Sequence, residues 1–134
     1  MGEICVVVEH RQGVIREITH QMLWKAHELC QALSCDLTAV VISGGEEGFY
    51  GEIAERADRV IAFEGEAGTY FNGETYKEIL HRLIEERRPF LTLMAHSAYG
   101  MAYAPSLSVK TGLPLATDAV DIPVSYTHLR AHET

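Results

Sequence analysis

The sequence predicts an α/β fold, a Rossmann-like three-layer sandwich with helices on both faces of a parallel sheet. The first indication is a set of four short apolar runs without the polar alternation of a half-exposed strand. The second is that the segments between these runs carry apolar residues on one side of a helix. Strands that alternate with helices favour right-handed crossovers and a doubly wound parallel sheet.

The predicted strands are residues 4–8, 37–42, 59–63 and 90–95. Glycine-rich turns at residues 44–48 and 65–68 follow the second and the third of them.

Two of the connecting segments have a clear helical pattern. Residues 19–34 place their apolar side chains on one face, with Thr19 as the expected N-cap. Residues 73–88 form the second helix, which begins after the N-cap Asn72. Pro89 is expected to end it, because the residue before a proline avoids helical angles.

Two further helices are predicted, one over residues 49–57 and one after the fourth strand. Pro105 is expected in an early turn of the last helix, where a missing N–H removes no internal hydrogen bond. Gly112 is expected to end that helix.

The composition predicts one ordinary globular domain. The chain has 134 residues and a net charge of −8, which disfavours nucleic acid and anionic membranes as partners. The first residues lack the basic start of a signal peptide, and no run approaches the ~20 apolar residues of a membrane helix. We therefore expect a cytoplasmic protein.

The cysteines and histidines are interpreted as structural or solvated residues. Cys5, Cys30 and Cys35 form no even-numbered disulfide framework, so three buried reduced thiols are expected. The early histidines lack a third ligand at short spacing, so solvated side chains and no metal are expected; these are His10, His20 and His27.

No catalytic motif is evident. The first strand is not followed by the GxGxxG of a dinucleotide site, and there is no P-loop. His96, Ser97 and Asp118 lack the GxSxG nucleophile elbow, so no catalytic residue is assigned.

The segment after the fourth strand is the main candidate for a ligand or partner face. His96, Ser97, Tyr99 and Gly100 follow a central strand, near the expected reversal of strand order where open α/β sheets bind ligands. A tight strand-to-helix turn explains the same residues without any ligand.

Trp24 is a candidate interface residue. It lies on the polar side of its predicted helix. The alternatives are a partly exposed side chain packed by its neighbours and an anchor for another domain or subunit, because aromatic residues concentrate at interface cores.

Residues 95–122 resemble the electron transfer flavoprotein alpha subunit. The pattern is carried by Gly100, Ala104-Pro105, Leu107, Gly112, Pro114 and Thr117-Asp118. The Ala-Asp-Arg-Val entry at residues 57–60 and the helix that ends before Pro89 are also similar to that family, so the resemblance covers residues 3–122.

The resemblance implies that the chain pairs with a beta subunit and that the resulting heterodimer carries FAD. It also implies an N-terminal domain with a sheet of the adenine nucleotide alpha hydrolase-like type. The family holds FAD mainly in a separate C-terminal domain, which we expect to be absent here, so no flavin-binding residue is assigned and this chain alone is expected to hold no cofactor.

Two departures limit the resemblance. Many family members have arginine where this chain has Met101 and Ser106, so any contact of those arginines is lost. Residues 125–134 have no strand or helix pattern and resemble vector read-through. We therefore expect an incomplete N-terminal domain at residues 1–124, followed by a non-native tail.

The leading functional hypothesis is a scaffold and subunit-interface domain of an electron carrier without its own catalytic site. The resemblance implies that the complex takes electrons from an acyl-CoA or another dehydrogenase. The alternative is a stand-alone adenine-nucleotide-binding module of the universal-stress-protein type, although a glycine-rich phosphate loop is lacking. A hydrolase would need an elbow and an acid–base pair, which are also lacking.

Overall fold

The computed structural model describes residues 2–11, 13–45 and 50–113, and it contains the predicted alternation of strands and helices. The strands are β1 (Glu3–Val7), β2 (His10–Arg11), β3 (Val14–Ile15), β4 (Asp36–Ser43), β5 (Arg59–Glu64) and β6 (Leu91–Leu93). The helices are α1 (Glu17–Leu33), α2 (Tyr50–Ala54), α3 (Gly73–Arg87) and α4 (Ala98–Thr111), with a 3₁₀ turn at Glu66–Gly68.

The four predicted strands form one parallel sheet in the order β5-β4-β1-β6. Strand β1 is central, and Val6 pairs with Ala39 on one side and with Leu93 on the other. The predicted parallel α/β sandwich is confirmed.

Each face of the sheet is covered by a different pair of helices. Successive residues of a strand point to opposite faces. Val6 accordingly packs in a core with Leu23 and Ile53 of α1 and α2. Val7 packs in a second core with Leu80 and Leu107 of α3 and α4. Burial on both sides explains why the sequences of β1 and β4 lack polar alternation.

Two helix boundaries agree with the sequence. The Asn72 side chain accepts a hydrogen bond from the Thr75 N–H at 3.1 Å, as an N-cap does. Gly112 ends α4 with a positive φ of 74°, a conformation that glycine adopts without steric cost.

The predicted cap at Thr19 is wrong. Helix α1 begins at Glu17, and Thr19 lies fully buried inside it. Its hydroxyl donates to the Glu9 carbonyl at 2.9 Å and accepts from the Glu9 N–H at 2.8 Å. Both backbone groups of Glu9 lie just beyond the sheet ladder, so a buried hydroxyl that satisfies both replaces the capping role.

Two other expectations also fail. Pro105 lies in the middle of α4 and not in its first turn, on the exposed side of the helix. The chain after β1 forms a short antiparallel hairpin of β2 and β3, which the sequence analysis did not predict. His10 at its start is buried and not solvated, because its ring bonds across to β4.

Glu3 joins three strands and a helix at the amino edge of the sheet. Its Oε2 lies 2.7 Å from Arg87 Nη2 and 3.1 Å from Arg59 Nη1, and it accepts a hydrogen bond from the Thr38 hydroxyl. Burial raises the pKa of the Glu3 carboxyl, but the bonds from Arg87 and Thr38 and the two arginine charges outweigh burial. The net effect is a pKa below the ordinary value.

Within the described ranges, none of the helices combines the length and the apolar character needed to cross a membrane.

Candidate functional site

The strand order reverses between β1 and β6. The chain leaves β1 toward β4 on one side, whereas β6 pairs on the other side of β1. The carboxyl ends of these two strands lead into Glu9 and into the segment from Ala95 to Gly100. Open α/β sheets bind ligands in the crevice at such a switch point.

A buried carboxylate links three elements at this point. Glu9 is only 7% exposed, and its Oε1 accepts a hydrogen bond of 2.6 Å from the Ser97 hydroxyl. Its Oε2 lies 3.0 Å from Arg16 Nε. A charge removed from water needs such partners. Glu9 therefore holds the end of β1 to the starts of α1 and α4.

Ser97 has a second role as the N-cap of α4. Its Oγ accepts from the Gly100 N–H at 3.2 Å while its hydroxyl donates to Glu9. One hydroxyl therefore satisfies a free helix donor and a buried carboxylate oxygen together.

Gly100 is required by close packing. A Cβ at this position would lie 1.8 Å from the Ala95 carbonyl oxygen, which is backbone and cannot rotate away. The first turn of α4 thus sits directly against the residues that follow β6, and it carries Ser97, which bonds Glu9, and Tyr99, which stacks on Phe71.

His10 connects the hairpin to the neighbouring strand. The Gly13 N–H donates to Nδ1 at 3.1 Å, so we assign the ring proton to Nε2. Nε2 then donates to the Ile42 carbonyl oxygen at 2.7 Å. The same oxygen accepts from the Tyr76 hydroxyl at 3.3 Å.

An aromatic cluster borders the crevice. The rings of Tyr99 and Phe71 stack with centroids 4.3 Å apart and planes 2° apart. The Arg16 guanidinium lies 5.8 Å from the Tyr99 ring centroid, within the range of a cation–π contact. Tyr76 and Tyr103 continue the cluster into the core, and burial raises the pKa of the Tyr103 hydroxyl far above its ordinary range.

A cavity of about 230 Å³ lies between the hairpin and this cluster. Its lining includes His10, Arg11, Thr69, Phe71 and Tyr99. The volume is below that of an ordinary ligand pocket of about 300–1,000 Å³, so it suits one side chain or one planar group.

The predicted site residues separate into two places. Ser97, Tyr99 and Gly100 meet at the switch point, with His96 exposed beside them. Trp24 is outside this cluster, on the solvent side of α1, and is 67% exposed.

Three residues of the switch-point cluster were missed from sequence. Glu9, Arg16 and Phe71 contact the predicted residues only through the tertiary structure. A carboxylate directly after an apolar strand was the available signal for Glu9. Arg16 and Phe71 carried no comparable signal.

Among the other early histidines and the thiols, His27 is exposed as expected, whereas His20 and Cys35 differ from expectation. His20 is half-buried, with Nε2 3.2 Å from Glu52 Oε2. Cys35 is half-buried and touches Cys30, whereas Cys5 and Cys30 are buried as expected. In the parts of the chain that the structure describes, no three metal-ligating side chains come together.

The fold and this cluster define a doubly wound α/β domain in which the polar side chains at the switch point, Glu9, Ser97 and Arg16, are bonded to one another. Its sequence matches the family model "Electron transfer flavoprotein domain" over residues 4–134, and the chain belongs to that family.

Three similar relatives are named electron transfer flavoprotein subunit alpha. The protein of Syntrophomonas wolfei is 34% identical over 93% of this chain and 38% of its own length. That of Clostridium acetobutylicum is 26% identical over 96% and 39%, and that of Methylophilus methylotrophus is 26% identical over 88% and 37%. The chain thus spans less than two fifths of these relatives. The comparisons favour this family over the stand-alone nucleotide module.

Proposed function

We propose that this chain is the N-terminal scaffold and subunit-interface domain of an FAD-containing electron transfer flavoprotein. In that role the complex passes electrons from an acyl-CoA or another dehydrogenase to an acceptor, in the cytoplasm and without nucleic acid or membrane partners. The main support is the family match over residues 4–134, together with the alpha-subunit names of the relatives.

The geometry adds a reason to favour a scaffold over a catalyst. Glu9, Ser97 and Arg16 are bonded to one another, so their polar groups already have partners. A general acid or base must instead face a reacting group. We therefore infer a structural role for these three residues of the described chain, and we propose that the domain acts without a catalytic site of its own while FAD is held mainly by residues outside this segment.

The proposed partner is the beta subunit of the heterodimer. The proposed partner face is the switch-point segment of His96, Ser97, Tyr99 and Gly100, in which His96 is exposed and Gly100 sets the backbone position, together with Trp24 on α1. Support for Trp24 comes from its 67% exposure, since a large exposed aromatic ring is typical of an interface anchor.

The test is association of the full-length alpha subunit with its beta subunit. Trp24→Ala should raise the dissociation constant of the heterodimer about tenfold or more, because anchors of this kind contribute at least ~1.4 kcal/mol to the free energy of binding. Its melting temperature as an isolated chain should stay near that of the wild type, since the ring has little to lose on the surface.

Val109→Ala is the matched control, because Val109 is 85% exposed on α4. It should change neither association nor melting temperature. A Trp24→Ala variant that associates normally, or that melts at a much lower temperature, would contradict the interface role.

We also propose that residues 1–124 are an incomplete N-terminal domain and that residues 125–134 are a non-native tail. The family match continues through these residues, so the support is only their lack of a strand or helix pattern. They lie outside the described residues. A genomic sequence that continues in frame through them would refute this assignment.

A further inference from the structure

Two cysteines meet at the amino edge of the sheet, where α1 ends and β4 begins. The Sγ atoms of Cys30 and Cys35 are 3.6 Å apart. Ser34 between them adopts the left-handed conformation with φ 56°, and the Cys35 N–H donates to the Cys30 carbonyl at 3.1 Å.

This backbone arrangement contains the 6→1 bond of the Schellman motif that closes many helices, while the Ser34 N–H bonds to the same Cys30 carbonyl. In such helix ends the residue after the left-handed position and the residue five positions earlier commonly make an apolar side-chain contact. Here both side chains of that contact are thiols. The helix end therefore places the two sulfurs side by side at the margin of the core to which Cys30 belongs and against which Cys35 packs.

The two thiols differ in access. Cys30 is 6% exposed, whereas Cys35 is half-buried. Burial raises the pKa of the Cys30 thiol to about 12, with further contributions from Cys35, Asp58 and Asp36. An oxidant from solution therefore reaches Cys35 first, and Cys30 follows from the protein side.

We propose that Cys30 and Cys35 are a thiol-oxidation site that closes reversibly into an intramolecular disulfide. With a small disulfide such as oxidised glutathione, the Cys35 thiolate attacks one sulfur and releases one glutathione. Cys30 then attacks Cys35 Sγ in the mixed disulfide, passes its thiol proton to the departing sulfur and releases the second glutathione. Two protein thiols are oxidised, one disulfide is reduced, and both protons end on glutathione.

Closure requires only a short movement. The sulfurs must approach from 3.6 Å to a bond of about 2.05 Å. The pair lies where α1 ends and β4 begins, away from Glu9 and Ser97 at the carboxyl ends of the strands. The site is thus distinct from the proposed partner face at the switch point.

The sequence makes the reaction easy to follow. In the full-length chain, trypsin releases both cysteines in one peptide of residues 26–56, and Cys5 in another of residues 1–11. After exposure to oxidised glutathione, blocking of free thiols and digestion, peptide 26–56 should lack two hydrogens and carry no blocking group. Dithiothreitol should restore two blockable thiols, and Cys5 should stay blockable after unfolding throughout.

Two variants test the assigned order of attack. Cys30→Ala should stop the reaction at Cys35 bound to one glutathione, with at least about tenfold more of this adduct than in the wild type, because attack from an adjacent positioned group is far faster than a second bimolecular step. Cys35→Ser should leave Cys30 unoxidised on the same timescale.

The proposal is overturned if both wild-type thiols remain blockable, or if wild-type Cys35 accumulates the glutathione adduct as Cys30→Ala does. The wild-type measurement decides even if the buried substitution at Cys30 prevents folding.

Discussion

Replacing Gly100 with alanine should destabilise the protein, although alanine is the better helix former. Position 100 lies in the first turn of α4, where alanine alone gains about 1 kcal/mol over glycine. The new Cβ, however, would lie 1.8 Å from the Ala95 carbonyl oxygen, and real Cβ contacts stay above 3.0 Å. The strand end and the helix must therefore separate by more than 1 Å.

The expected magnitude follows from these opposing effects. Overpacking of this kind costs about 1–3 kcal/mol. The displacement also weakens the bond from the Gly100 N–H to Ser97, and loss of an N-cap costs about 1 kcal/mol. Against a helix gain of about 1 kcal/mol, we expect a net loss of about 2 kcal/mol.

The measurement is the urea midpoint of unfolding of the full-length chain, with the same substitution at Gly51 as the control. Gly51 lies in α2, and a Cβ there meets nothing within 4 Å. Gly51→Ala should be neutral or stabilising by up to about 1 kcal/mol. If Gly100→Ala is as stable as Gly51→Ala, the close approach of α4 to β6 is refuted.

Two further predictions concern carboxylates. Glu9→Gln keeps an acceptor for Ser97 but loses the ion pair with Arg16, so it should lower the free energy of unfolding by about 1 kcal/mol. The same substitution at the exposed Glu74 should cause no measurable change. Equal effects of the two substitutions would refute the special role of Glu9. The lowered pKa of Glu3 means that its stabilisation is fully present above the ordinary glutamate pKa of about 4.3 and is lost as pH falls through the lower folded value. Unfolding measured from pH 6 down to 3 should therefore show a steeper loss of stability in the wild type than in Glu3→Gln, and parallel curves would contradict the ion pairs with Arg87.

The parallel sheet was predictable because its signal is local. A strand buried on both faces needs a continuous apolar run, and β1 and β4 have one. The cap at Asn72 and the end at Gly112 were predictable for the same reason, since each depends on one residue and its nearest backbone.

The errors occurred where a distant group competes with the local preference. Thr19 would be a good N-cap, but the backbone of Glu9 offers it both a donor and an acceptor. Each strand of the β2–β3 hairpin has only two residues, so the sequence cannot show the alternation of apolar and polar residues that marks a longer strand. His10 fixes the hairpin through a bond to Ile42, which is distant in sequence.

The candidate site was predictable by position but not by its contacts. Topology alone placed Ser97 and Gly100 after a strand at the switch point, but the expectation that this strand is central was wrong, because β6 is the outer strand of the described sheet and pairs only with β1. That Ser97 bonds Glu9 and that Tyr99 stacks on Phe71 depends on how β1 and the loop before α3 are brought beside α4. The ligand or partner role of these residues remains a prediction, as does that of Trp24.

The two carboxylates at the ends of β1 also fix the length of that strand. Glu3 is bound to arginines at one edge of the sheet, and Glu9 is bound to Ser97 at the other. Insertion or deletion of a single residue between them would turn one of the two toward the wrong face. Homologous proteins that keep both pairs should therefore vary in the side chains of this segment but not in the number of residues between the acids.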